Sequence, residues 1–119
     1  MKKDIILNNL KINYIQILNE FYLNGDKDLS IDTNLDLDRE LEKQISCLQD
    51  AVVLLGKTRD AEDEIATQAA LVFIRVYAMR LSNFFEDIKD DADLLNSIPG
   101  WPEIPENYKI PEHYNFPHK

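Results

Sequence analysis

Glycine, histidine and cysteine are all scarce in this chain, and each scarcity excludes a kind of chemistry. The three glycines stand far apart, at 25, 56 and 100, so no loop offers the run of bare backbone N–H groups that cradles a phosphate. Both histidines, His113 and His118, lie close to the C-terminal end, and no helical segment carries His-x-x-x-His or Glu-x-x-His metal spacing. The one cysteine, Cys47, cannot close an intrachain disulfide; set among apolar helical positions, it reads as an inert, partly buried thiol. Nothing supplies a nucleophile with its base, a metal set or a cofactor cradle. The chain reads as a non-enzymatic protein without a cofactor.

Long apolar runs are missing too. The longest, Ala69 to Ile74, stops at Arg75, well short of the ~20 residues that span a bilayer. Lys2 and Lys3 are followed only by Ile5, Ile6 and Leu7, too little for a secretory core, so the expected location is the cytoplasm. Positive charge is the last shortage. Thirteen Lys and Arg against 22 Asp and Glu leave a net charge of -9, beyond the roughly 2 to 8 that keeps a small domain soluble. Nucleic acid and anionic membrane surfaces are therefore poor direct partners. At 45% hydrophobic residues the chain is too apolar to stay disordered, and its 119 residues suffice for one core.

What is present is helical periodicity. Leu7, Leu10, Tyr14, Ile17 and Phe21 recur at three- and four-residue steps, one apolar stripe on a helix over 4–23 that Leu18 and Tyr22 widen and Asn24-Gly25 stops. A second helix reads from Asp36 to Leu55. Leu37, Leu41, Ile45 or Gln44, Leu48, Val52 and Leu55 share one face, with Asp36 or Asn34 as cap and Gly56 as terminator. A third opens on Asp60, Glu62, Asp63 and Glu64, is apolar almost all round from Ile65 to Met79, and continues through Phe84 and Ile88 unless Ser82-Asn83 breaks it. Such a helix belongs at the centre, with a carboxylate such as Glu20 or Asp50 expected beside Arg75, and Arg80 snorkelling to the surface. The expected fold is all-α: an antiparallel bundle of three long helices over residues 1–98, with a short fourth allowed over 91–96.

Residues 99–119 hold all five prolines, which forbids a continuous helix there. Ile104-Pro105-Glu106-Asn107-Tyr108-Lys109 is echoed by Ile110-Pro111-Glu112-His113-Tyr114-Asn115, and Phe116-Pro117-His118 begins a third copy. The segment is expected as an extended strap whose aromatics lie in grooves between helices. The alternative is a proline-rich epitope for an aromatic-lined groove on a partner.

Ten acidic residues crowd into two stretches: Asp26, Asp28, Asp32, Asp36 and Asp38, then Glu86, Asp87, Asp90, Asp91 and Asp93. Helices joined by short connections run antiparallel, so the third helix is expected to bring its last turns beside the Asp26–Asp38 connection and form one acidic pole. The other pole mixes Lys2, Lys3, Lys57 and Arg59 with Asp60 to Glu64. The connection is no calcium loop: counted from Asp26, Asp28 or Asp32, the twelfth position holds Leu37, Arg39 or Lys43 instead of a bidentate glutamate. Crowded carboxylates are either helix capping on a solvated face or a surface for a basic protein. On the second reading the ten residues form the partner-binding set of a small acidic inhibitor of the immunity type, plugging the nucleic-acid cleft of a basic partner such as a nuclease toxin. A phage-encoded nucleic-acid mimic acting on a host defence protein uses the same physics. A non-enzymatic scaffold or oligomerisation protein, with acidity serving only solubility, is the reading from a different class.

Overall fold

The structure, a computed structural model, describes residues 5–22 and 27–118. Over these residues it is all-α, built from three helices: α1, Ile6–Phe21; α2, Leu37–Asp60; and α3, Glu64–Asn96. A single 3-10 turn follows at Glu112–Tyr114, and no strand occurs among the described residues. Lys2, Lys3 and the Asn24-Gly25 stop lie outside the described residues.

Asp36 caps α2 by accepting a hydrogen bond from the Arg39 N–H at 3.1 Å, with Asp38 and Glu40 in the first turn and Lys57 and Arg59 in the last. The helix does not end at Gly56. It runs through that glycine to Asp60, because an interior glycine costs only ~1 kcal/mol and the inner stripe continues at Thr58. The tight link that follows puts Glu62 in the left-handed region at φ 55. Asp63 then caps α3 by accepting from the Ala66 N–H at 3.0 Å. Ser82-Asn83 does not interrupt α3, which is continuous over 33 residues, about 50 Å. It absorbs the short fourth helix allowed over 91–96.

α2 and α3 pack antiparallel along one seam. Leu37, Leu41, Gln44, Leu48, Ala51, Leu55 and Thr58 step by fours and threes, facing Thr67, Ala70, Ile74, Tyr77, Leu81, Phe84 and Ile88; all are buried or half-buried. At the tip the Thr67 hydroxyl donates to the Thr58 oxygen at 3.0 Å. The fully buried apolar residues midway along the seam are small, Ala51 and Ala70. Small side chains let the helices approach closely, and the register of the stripe sets Gln44 and Ala51 inside and leaves Ile45 and Val52 outside.

α1 does not lie alongside α2 as the third member of an antiparallel bundle. Its first free N–H groups, on Leu7 and Asn8, both donate to the Asp38 carboxylate at 2.9 Å. The Asn8 carboxamide in turn accepts from the Leu37 N–H at 2.9 Å and donates to Asp36 at 2.7 Å. Each helix start thus caps the other. From there α1 follows the last turns of α3 in the same sense: the Tyr14 hydroxyl donates to the Ile88 carbonyl at 3.1 Å, and the Phe21 ring meets Trp101 at 5.1 Å between centroids. The core sits at this junction, where Tyr14, Ile31, Leu37, Leu95 and Ile98 are buried against Leu10, Ile17, Phe84 and Ile88. The rest of the hairpin projects away from it. The molecule measures 60 × 36 × 30 Å with a Cα radius of gyration of 19.8 Å, against about 13.5 Å for a compact domain of this length.

Beyond α3 the chain turns at Gly100, whose φ of 105 only glycine adopts freely. The Trp101 indole N–H donates to the Leu95 carbonyl at 2.8 Å. The strap expected over 99–119 is tied to the helices here; from 102 to 118 every residue except Pro111 is exposed. Its repeats bond locally instead. In each copy the tyrosine N–H, of Tyr108 or Tyr114, donates to the carbonyl of Pro105 or Pro111 at 3.1 Å.

Gly56 lies mid-helix with open space where a Cβ would stand. Gly56→Ala should therefore stabilise the chain by about 0.5–1 kcal/mol, read as a higher urea midpoint. A lower midpoint contradicts a continuous α2.

Candidate functional site

The two acidic stretches meet through a bond deep in the junction. Asp91, 1% exposed, accepts from the Ser30 N–H at 2.6 Å and the Ile31 N–H at 2.9 Å, pinning the α1–α2 connection to α3. Asp32 and Asp87 border one shallow groove together with Glu40, Arg80 and Phe84. Most of these carboxylates already have work within the fold. Asp32 accepts from the Asn34 N–H at 3.0 Å, and Asp36 and Asp38 cap α2 and α1. Glu86, Asp90 and Asp93 surround the Lys89 ammonium at 3.9, 3.2 and 3.5 Å. Among the described residues, Asp28 and Asp87 make no hydrogen bond or ion pair. Asp26 lies outside the described residues.

Bonds to backbone N–H groups therefore account for Asp32, Asp36, Asp38 and Asp91, the second and third as helix caps. Backbone N–H groups satisfy a carboxylate without cancelling its charge, so the pole stays negative. The Asn8 side chain and the Arg39 N–H hold Asp36 below the usual carboxylate range. Lys89 is held above the usual lysine range by its hydrogen bond to Asp90 and the charges of Asp90 and Glu86. Burial, and then the Asp91 charge, pushes the Tyr14 hydroxyl up. The structural roles of Asn8 and Asp91 escape a reading by charge density. One signal was there for Asp91: it falls in register with Phe84, Ile88 and Leu95 on the inner stripe of α3, where an acid has to find donors.

The second surface is apolar. Between Lys43 and Lys57 α2 carries a single charge, Asp50, and between Glu64 and Glu86 α3 carries only Arg75 and Arg80. Val52, Val53, Leu54, Leu71, Val72, Phe73 and Met79 are exposed by 37% (Leu54) to 58% (Val72). On one flank Phe73 and Tyr77 stack at 6.2 Å beside Cys47 and Leu54, and the Arg80 guanidinium lies 5.5 Å from the Tyr77 ring. Among the described residues Arg75, exposed on α3, pairs with neither Glu20 nor Asp50. Among the described residues, salt bridges involve Lys89 alone.

Comparison with protein-family models, curated proteins and solved structures gives no match. By length and composition α3 alone, among the described residues, is apolar enough to cross a membrane. Arg75 and Arg80 stand inside that stretch, and an arginine at a bilayer centre costs ~2.5–3.5 kcal/mol.

Two outcomes follow from the junction. Asp91→Ala strips two backbone donors of their acceptor and should cost about 3 kcal/mol or more, seen as a lower urea midpoint; a change within error contradicts the pinning role. Asp36, with its folded pKa depressed, contributes stability that is complete above about pH 4 and is lost as pH falls through the depressed value. Asp36→Asn keeps a capping oxygen that does not titrate. It should flatten that acid limb of the stability–pH curve, and an unchanged limb contradicts the assignment.

Proposed function

We propose that this chain is a non-enzymatic helical assembly protein that works by covering the bare flanks of its α2–α3 hairpin with another helical surface. The observation that carries this reading is the band of exposed apolar side chains from Ile45 to Leu54 and from Ile65 to Met79. A helix apolar all round needs cover on several sides, which two helices cannot give each other and a four-helix arrangement can. The accessible surface is 9646 Å², whereas a folded chain of 13.9 kDa exposes about 6,700 Å². The extended tail takes part of the difference and the bare hairpin the rest. On this reading the bundle is completed between chains, the acidic pole keeps the unassembled chain soluble, and the tail past Trp101 is a partner epitope.

A second reading keeps the acidic inhibitor, of immunity or nucleic-acid-mimic type. It is favoured by the uncancelled charge of the pole, with Asp28 and Asp32 exposed on it. Salt separates the two. Charge-steered binding weakens as the Debye length falls from ~10 Å at 0.1 M to ~3 Å at 1 M, while apolar association persists. Replacing Leu71, Val72 and Phe73 with glutamine should reduce hydrophobic-dye binding and weaken complexes roughly tenfold or more, each buried side chain being worth ~1.5–3 kcal/mol. Reversing Asp28 and Asp32 to lysine should matter little at 1 M salt. Complexes that dissolve in salt and depend on Asp28 and Asp32 instead would favour the inhibitor.

A further inference from the structure

The tail past Trp101 shapes a cavity of its own, away from the helices. Two turns build it. The Tyr108 N–H donates to the Pro105 carbonyl at 3.1 Å, with Asn107 left-handed at φ 63, and the Tyr114 N–H donates to the Pro111 carbonyl at 3.1 Å. Asn115, left-handed at φ 58, then donates its N–H to the Glu112 carbonyl at 2.9 Å and turns the chain back. Tyr108 and Ile110 before this turn, and Phe116 and His118 after it, line one cavity of about 440 Å³. Small-ligand sites span roughly 300–1,000 Å³. Pro105, Pro111 and Pro117 fix φ along the segment, so the shape is held before any ligand arrives.

The lining combines two kinds of group. Tyr108, Ile110 and Phe116 are 51–54% exposed, so the helical core makes little use of them. The Phe116 and His118 rings stand nearly perpendicular, 78° between planes at 5.5 Å, like two walls of a corner. Glu112 and Lys109 line the same cavity three residues apart, yet among the described residues salt bridges involve Lys89 alone, so neither charge neutralises the other by direct contact. Aromatic faces beside a carboxylate attract a quaternary ammonium, a cation with no N–H group in need of an acceptor. A lysine ammonium beside them calls for an anion. We infer that the cavity binds a small zwitterion carrying both charges, a quaternary ammonium joined by a short link to an anionic group, as in phosphocholine. The quaternary ammonium sits against Tyr108 and Phe116 with Glu112 as its counter-ion, and the anion meets Lys109, with the Asn107 carboxamide as a further donor. A simple cation would be repelled by Lys109 and a simple anion by Glu112; the zwitterion satisfies both. This inference does not depend on how the hairpin is covered.

An NMR titration of the intact chain tests this. The residues named are exposed and lie outside α1, α2 and α3, so variants there should keep the helicity read by circular dichroism. Phosphocholine should shift the Tyr108 and Phe116 ring signals with a Kd on the order of 1 mM or tighter. Phosphoethanolamine, whose ammonium keeps its N–H groups and their hydration, should bind roughly tenfold or more weakly. Tyr108→Ala and Phe116→Ala should each weaken phosphocholine by about fivefold or more. Lys109→Gln should weaken phosphocholine without weakening choline, which has no anion for the lysine to meet. Phosphatidylcholine vesicles separate the two sources of this chemistry. A chain that pellets with them and is released by free phosphocholine uses the lipid headgroup, a chain that stays in solution uses the soluble molecule, and either result upholds the site. No ring shift with about 10 mM phosphocholine overturns the proposal. Equal affinity for phosphoethanolamine overturns it too, as does binding that survives both ring deletions.

Discussion

A pair of helices has one seam, and α2 and α3 hold more apolar surface than one seam can bury. Ala51 and Ala70 close that seam tightly, and the tightness turns larger neighbours such as Val52, Leu71 and Phe73 outward. α3, at 33 residues against 24 for α2, overruns its partner at one end. There α1 takes over the packing and the core forms. Among the described residues no third helix arrives along the rest of the hairpin, so the exposed flanks and the lack of ion-pair partners for Asp50, Arg75 and Arg80 there share one cause.

The junction is held by polar groups as much as by packing. Asn8, Asp36 and Asp38 exchange caps between α1 and α2, and buried Asp91 holds the connection against α3. A buried carboxylate is tolerable only with donors placed for it. Here the donors are backbone N–H groups, which fix the path of the chain without a compensating cation. Folding and the acidic pole are thereby linked, since part of the negative charge that colours the surface is required inside the structure.

Helix identity was legible because apolar steps of three and four persist over long segments: the α1 stripe of Leu7, Leu10, Tyr14 and Ile17 packs on the core as its spacing implies. The placement of Asp36 as a cap and the meeting of the two acidic stretches were legible as well. Gly56 misled because a terminating glycine and an interior one look alike until the downstream stripe is weighed. Gln44 was one of two alternatives beside Ile45, while Ala51 in place of Val52 was hidden because hydrophobicity ranks residues by transfer, whereas a close two-helix seam also selects by size. The position of α1 was hidden because connection length constrains separation but not which helix is followed. Carboxylate density did not separate acids that bond the chain's own N–H groups, such as Asp36, Asp38 and Asp91, from acids free to meet a partner, since both look alike in the sequence.

Hydrogen exchange of the purified chain tests the central claim most directly, namely that the α2–α3 hairpin is bare on its own and has to be covered by another helical surface. In dilute solution amides of residues 45–57 and 66–80 should exchange faster than those at the junction, around Tyr14, Ile31 and Leu95, which the core protects. Hairpin amides as strongly protected as those of the junction would contradict it.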